Sequence, residues 1–293
     1  MIGVVFEPRH TTAPDGRTIC FTEHGDPDGP PLFMFHGTPG SRLDHDPYGR
    51  PTPARIITID RPGYGESDPQ PDRRLVDWPG DVAAVADALG IDTFHVLGIS
   101  GGGPHALACG ALMPERVRRV GVVCGVGPLD DPASDAGMKP SNAMLNRLSR
   151  TDPKAVHDIA DMMAAGITGA NDPAELHALM TADEMPDVDR ATMAHPAVQD
   201  MMYATAKEGM RQGGDAFAIE MIMLAQPWGF ALEDIAVEVR FLQGTEDVNV
   251  PLAHAEGMAA RVPGATLTVM QGEGHMSLAI DHTTPFALDL VAE

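Results

Sequence analysis

A serine held between glycines is the residue of this chain best placed to do chemistry. Gly98-Ile99-Ser100-Gly101-Gly102 follows the apolar run Phe94–Leu97 and precedes a predicted helix from about Pro104 to Met113. In that strand–turn–helix setting a serine sits on a very sharp, strained turn with its hydroxyl projecting above a sheet, ready for acyl transfer. Neighbours two positions away on either side must be small, and Gly98 and Gly102 meet this need. With 31 Gly and seven Ser, a shuffled chain holds roughly 0.1 matches to G-x-S-x-G, so the flanking elements add much of the specificity. A glycine-rich turn before a helix can also cradle a phosphate. Here Gly101-Gly102-Gly103-Pro104 lacks the P-loop lysine, and the dinucleotide spacing is not met.

Four further motifs each follow a predicted strand. His36-Gly37-Thr38-Pro39-Gly40 comes after Leu32–Phe35, and Asp60-Arg61-Pro62-Gly63-Tyr64-Gly65-Glu66-Ser67 after Arg55–Ile59. Gly244-Thr245-Glu246-Asp247 comes after Val237–Leu242, and Gly272-Glu273-Gly274-His275 after Ala265–Met270. With the serine turn, these segments resemble the α/β-hydrolase family, in motif content and in the chain order Ser, acid, His. The resemblance implies a three-layer α/β/α sandwich with a mostly parallel eight-stranded sheet and an inserted helical cap. It implies Ser100 as nucleophile, His275 as general base and Asp247 as the acid that orients the imidazole. It assigns the oxyanion donors to the backbone N–H groups of Thr38 and Gly101, with the Thr38 hydroxyl as an additional candidate. Rivals for the acid are Glu246, Asp130 and Asp131. His36 suits bracing the oxyanion loop, His105 suits packing behind the serine, and His254 and His282 read as helix-surface residues.

The elements that must position these motifs are legible as short apolar runs separated by longer helical patterns. Candidate strands are Gly3–Glu7, Thr18–Glu23, Leu32–Phe35, Arg55–Ile59, Phe94–Leu97, Val117–Cys124, Val237–Leu242 and Ala265–Met270. Several are continuously apolar, as strands buried on both faces are. Leu75, Trp78, Val82, Val85, Ala86 and Leu89 form a helical stripe closed by Gly90. After about Gly125 the alternation stops, and helices alone are expected, with Thr151–Met163, Pro173–Met180, Pro196–Arg211 and Asp215–Leu224 as the best candidates. Residues 1–125 and 234–293 are therefore read as one α/β core, and residues 126–233 as a helical cap over it.

Twelve of the 18 methionines fall between Met138 and Met223. Methionine conforms to irregular apolar shapes, so an adaptable roof over the serine is expected. Candidate substrate contacts are His36, Trp228, Met201 and Met202, with Phe230 beside Trp228 and Gly213-Gly214 as a hinge.

Composition removes several functions. The 20 Lys+Arg stand against 42 Asp+Glu, for a net charge of −22, which repels nucleic-acid phosphates and anionic membrane surfaces. Cys20, Cys109 and Cys124 sit in apolar settings without a close pair and read as buried thiols of a reducing compartment. Neither a signal peptide nor a long apolar span is visible, so a cytoplasmic location is expected. No metal spacing such as H-E-x-x-H occurs, and neither metal nor cofactor is expected. The partner is a small-molecule substrate; a homo-oligomer is compatible with the sequence. The leading reading is hydrolysis of a carboxylic ester, thioester or lactone of a small, largely apolar substrate through an acyl-enzyme. A proline iminopeptidase-like amidase is the runner-up, since Gly101-Gly102-Gly103-Pro104 is similar to that group. A non-turnover receptor, or a cofactor-free lyase or oxygenase on the same fold, is the reading of another class.

Overall fold

A computed structural model describes residues 6–182 and 184–292. Among these residues eight strands form one sheet: β1 Arg9–Thr12, β2 Thr18–Gly25, β3 Pro31–Phe35, β4 Arg55–Ile59, β5 Phe94–Ile99, β6 Val117–Val123, β7 Glu238–Gly244 and β8 Thr266–Met270. The order is β1-β2-β4-β3-β5-β6-β7-β8. β2 pairs antiparallel with β1 and β4, and every other pairing is parallel. The crossover between β4 and β3 puts β5, which carries the serine turn, in the middle of the sheet. All six residues of β5 are buried, as expected for a strand covered on both faces.

The first strand differs from expectation. Residues 3–5 of the predicted Gly3–Glu7 lie outside the described residues, and Phe6 and Glu7 are not in a strand. The first described strand, Arg9–Thr12, is a polar edge strand with mostly exposed side chains. Its apolar signal is weak because an edge strand need bury little.

Helices α1 Trp78–Ala88, α2 Gly102–Leu112 and α9 Leu252–Arg261 pack on one face of the sheet. That face holds the larger core, with Phe33, Phe35, Val96, Val120 and Phe241 from the strands against Trp78, Val82, Ala106 and Met258. The other face buries Leu32, Leu97, Ile99, Val123 and Leu242 beneath a C-terminal helical segment. That segment comprises α10 His275–Ser277, a π-type turn over Leu278–His282, and α11 Thr283–Val291. The alternation of Leu32 and Phe33, or of Leu97 and Val96, between the two cores follows from the period-two pleat.

Between β6 and β7 the regular elements among the described residues are all helical: a short 3₁₀ turn at Pro132–Asp135, then α3 Pro140–Thr151, α4 Pro153–Gly169, α5 Pro173–Met180, α6 Asp187–Met193, α7 Pro196–Gly209 and α8 Asp215–Leu224, with a second 3₁₀ turn at Leu232–Asp234. Proline opens α3, α4, α5 and α7, where its missing N–H costs nothing. The predicted helix Thr151–Met163 corresponds to α4, which begins two residues later at Pro153 and runs on to Gly169. Proline forces Asp152 out of the helical region, and the Asp152 carboxylate then caps the Ala155 N–H of α4 at 3.2 Å. Helices α3 and α6 were not among the expected ones; the seven residues of α6, Asp-Val-Asp-Arg-Ala-Thr-Met, carry no apolar stripe.

The turn after β5 packs main chain against main chain. A Cβ on Gly98 would stand 2.1 Å from the Gly102 carbonyl oxygen. Gly98→Ala is therefore expected to lower stability by about 2–3 kcal/mol. Gly257→Ala, in α9 with nothing within 4 Å, is expected to raise it by about 0.5–1 kcal/mol. Urea midpoints of the two variants check both signs.

Candidate active site

Ser100 leaves the end of β5 with φ of +53°, a left-handed conformation that a non-glycine residue keeps only when its surroundings impose it. They do so through three main-chain bonds. Ser100 N–H donates to Val123 O at 2.9 Å, and Ser100 O accepts from Gly103 N–H at 2.9 Å and Val126 N–H at 3.1 Å. Gly102 lies so close to the end of β3 that a Cβ there would meet the Phe35 carbonyl at 2.3 Å. The turn is thus fixed between β3 and β6.

Two loops at the same end of the sheet meet Ser100. The loop after β8 brings His275 Nε2 to 3.1 Å from Ser100 Oγ, and His275 Nδ1 lies 2.8 Å from Asp247 Oδ2 on the loop after β7. Asp247 is itself held by four bonds. Its Oδ1 accepts from Asn249 and Val250 N–H at 2.9 and 2.8 Å, and its Oδ2 accepts from Gln243 Nε2 at 2.9 Å as well as from the imidazole. With Nδ1–H directed at Asp247, Nε2 is the acceptor facing the serine hydroxyl. Burial opposes protonation of His275, but the adjacent Asp247 carboxylate outweighs it and raises the imidazole pKa well above its ordinary value. Glu246 is exposed, as are Asp130 and Asp131, and Asp131 caps Ala133 N–H instead.

The loop after β3 lies alongside. Thr38 and Gly101 are in close contact: a Cβ on Gly101 would stand 2.0 Å from Thr38 Oγ1. Thr38 and Gly101 both line the cavity that holds Ser100. The Thr38 hydroxyl, however, donates to Glu220 on α8 and also accepts from Arg61 Nη2 at 3.2 Å. Its single proton is committed, which corrects the expectation that it serves as a further oxyanion donor.

Glu220 centres an ion cluster that sequence reasoning missed. Glu220 and Arg61 are fully buried. Arg61 Nη2 and Nε reach the two Glu220 oxygens at 2.7 and 2.8 Å, and Arg73 Nη2 adds a third bond at 3.0 Å. Arg61 also donates to the carbonyls of His36 at 2.5 Å and Gly37 at 3.0 Å, so the cluster grips the main chain leading into Thr38. Burial raises the Glu220 pKa, but Arg61 and Arg73 outweigh it and hold the carboxylate well below its usual range. Burial and Arg61 together lower the pKa values of His36 and His105, the latter to about 3, so both imidazoles are neutral. The only sequence signal was an arginine inside the Asp60–Ser67 turn; its partner lies 159 positions away.

A cavity of about 690 Å³ opens over Ser100, His275, Thr38 and Gly101. Ten of the twelve methionines between Met138 and Met223 line it, Met201 and Met202 among them, while Met210 and Met223 lie in hydrophobic clusters. Two candidate contacts are corrected. Trp228 belongs to the main core, tilted against Phe230 at 5.8 Å, and does not line the cavity. His36 is buried beneath the loop, with Nδ1 against Gly37 O at 2.8 Å. His254 is also not a surface residue. Its Nδ1 accepts from Gly127 N–H at 3.0 Å and its Nε2 donates to Ser134 O at 2.8 Å, tying α9 to the start of the helical insert. His105 packs edge-on to Trp78 as expected, and the three cysteines are buried free thiols. No helix among the described residues is long and apolar enough to cross a membrane.

The chain belongs to the α/β-hydrolase fold family, whose sequence profile matches residues 30–281. It is 28% identical over 276 residues to a 2-hydroxymuconate semialdehyde hydrolase of Pseudomonas putida, covering 90% of this chain and 86% of that one. A proline iminopeptidase of Neisseria gonorrhoeae is 36% identical over 105 residues, 34% of each chain. Among solved structures, an esterase from Exiguobacterium antarcticum superposes with a TM-score of 0.67 at 20% identity, over 97% of this chain and 99% of that one, a likeness of fold. These relatives mark the chain as an enzyme of the α/β-hydrolase type.

Glu220→Gln removes the counter-charge of two buried arginines. It is expected to lower stability by about 3–5 kcal/mol, read as a fall in the urea midpoint.

Proposed function

We propose that this protein is a serine hydrolase that cleaves the carboxylic ester, thioester or lactone of a small, largely apolar substrate through an acyl-enzyme. The supporting observation is the unbroken hydrogen-bond chain from Ser100 Oγ through His275 to Asp247, opening on a methionine-lined cavity. In this reading His275 takes the serine proton as Oγ attacks the acyl carbonyl, and Asp247 stabilises the imidazolium that forms. The backbone N–H groups of Thr38 and Gly101 receive the oxyanion. His275 then protonates the leaving alcohol or thiol, and a water activated by the same imidazole releases the acid. The cap, residues 126–233, supplies most of the apolar wall. Thioether side chains fit varied acyl groups at little cost, because each has several accessible rotamers.

A second reading, removal of an N-terminal residue from a short peptide, is favoured by Asp44. Its carboxyl lines the same cavity and has no hydrogen-bond or ion-pair partner among the described residues, whereas Asp46 is engaged by Arg50, Tyr48 N–H and Thr284. Burial pushes the Asp44 pKa up to about 6, so near neutral pH it offers a negative charge to a substrate ammonium.

Turnover of p-nitrophenyl butyrate and prolyl-p-nitroanilide, with labelling by a serine-directed phosphonate, separates the readings. An esterase cleaves the first and is labelled at Ser100; an aminopeptidase prefers the second. A receptor shows a stoichiometric burst at most, and absence of both turnover and labelling would overturn the hydrolase reading. Ser100→Ala is expected to lower kcat by about 10⁴-fold or more. Asp247→Asn is expected to lower it by about 10⁴-fold, through the wrong imidazole tautomer. The pH profile carries a sign. The base must be neutral, so kcat/KM falls as pH drops through the raised His275 pKa. Asp247→Asn removes the main cause of that rise, and the acid limb moves to lower pH.

A further inference from the structure

We propose that Asp189, on α6 of the cap, is a positioning residue for His275, so that the cap helps to build the catalytic site as well as covering it. The inference rests on the reading of His275 as general base. Asp189 is 1% exposed, and among the described residues no cation pairs with it. Its carboxylate instead grips the main chain of the histidine loop. Oδ2 accepts from His275 N–H at 3.0 Å, and Oδ1 accepts from Ser277 N–H at 2.9 Å.

Those two N–H groups open a helical segment and have no partner within it, so they are free to take an outside acceptor. The carboxylate satisfies both with charge-assisted bonds, which are shorter and stronger than neutral ones. Gly274 N–H is meanwhile taken by Ser277 Oγ at 2.9 Å, which closes the turn on itself. Gly274 also explains how the carboxylate comes so near. A Cβ there would stand 2.4 Å from Asp189 Oδ1, so only glycine admits the contact.

The geometry bears on reactivity because the imidazole must satisfy Ser100 and Asp247 together, at 3.1 and 2.8 Å. Its ring is carried on a backbone whose own N–H is held by Asp189. Releasing that N–H frees the loop to rotate, and an error of about 1 Å in a reacting group costs on the order of 10²-fold in rate. A buried carboxylate without a cation is a costly way to fill core space, since an apolar side chain would carry no desolvation penalty. What the carboxylate adds is a fixed direction for two main-chain bonds of the loop that bears His275.

Three variants test this: D189N, G274A and the D189A/G274A double variant. D189N keeps the shape but turns an amide N–H₂ toward one of the two donors. G274A keeps the charge and pushes it off the loop. For each, kcat and KM for p-nitrophenyl butyrate are measured, and the His275 imidazole is titrated by NMR of ¹⁵N-histidine-labelled full-length protein. Both single variants are expected to lose about 10²-fold in kcat with KM changed less than about twofold. Both are expected to show the imidazole pKa falling toward its ordinary value as the bond to Asp247 loosens. In the double variant the Gly274 substitution should add little, because the atoms it struck are gone. Folded D189N with wild-type kcat and an unmoved imidazole titration would overturn the proposal. Should D189N not fold, the same two readouts on G274A decide it. The titration needs no substrate, so failure of the wild-type protein to turn over esters would sink the hydrolase reading and leave this one still decided by NMR.

Discussion

An imidazole that must hold two partners at once is the constraint on which this structure turns. His275 has one acceptor site for the Ser100 hydroxyl and one N–H for Asp247, and the ring is rigid. The serine, the acid and the histidine come from loops after β5, β7 and β8, so the separation and twist of neighbouring parallel strands set the distances between them. Parallel strands bring all three loops to the same end of the sheet, where ligands of open α/β sheets bind. Close packing of Gly98 against Gly102, and of Gly102 against Phe35, holds the serine turn at one height above that end.

Buried charge does a different job here from stabilising the core. The cap reaches down with two carboxylates, each ending on a loop beside Ser100. Glu220 closes on Arg61, which grips the carbonyls before Thr38; Asp189 closes on the N–H groups at the start of α10. Charges buried in this way gain little over apolar packing once desolvation is counted. Their value lies in direction, since a bidentate bond fixes orientation as well as distance. The walls between these contacts are methionine, which adapts. The site thus combines loops held in fixed positions with a compliant apolar roof, and the proposed acyl chemistry needs both.

Much of this was readable from the chain. Local chemistry reports itself locally: Gly98 and Gly102 around Ser100, and continuous apolar strands for a doubly covered sheet. The misses have several physical causes. The edge strand Arg9–Thr12 and the short helix Asp187–Met193 bury too little to leave an apolar period. Trp228 reads as a pocket aromatic, yet its ring goes to the large core, because an apolar side chain signals burial without signalling against what. His254 looks like a helix-surface residue until Gly127 and Ser134 are seen on its two nitrogens.

By itself, then, the sequence determined the alternation of the central strands and helices, the likeness to a family and the residue types that can transfer an acyl group, because each is written in spacing over a few residues. Only the tertiary structure decided that the Thr38 proton belongs to Glu220, that Asp189 holds the histidine loop, and which methionines face the cavity. These depend on contacts between positions 86 to 182 residues apart. No periodicity encodes them, because the partners meet only after the cap has packed onto the sheet.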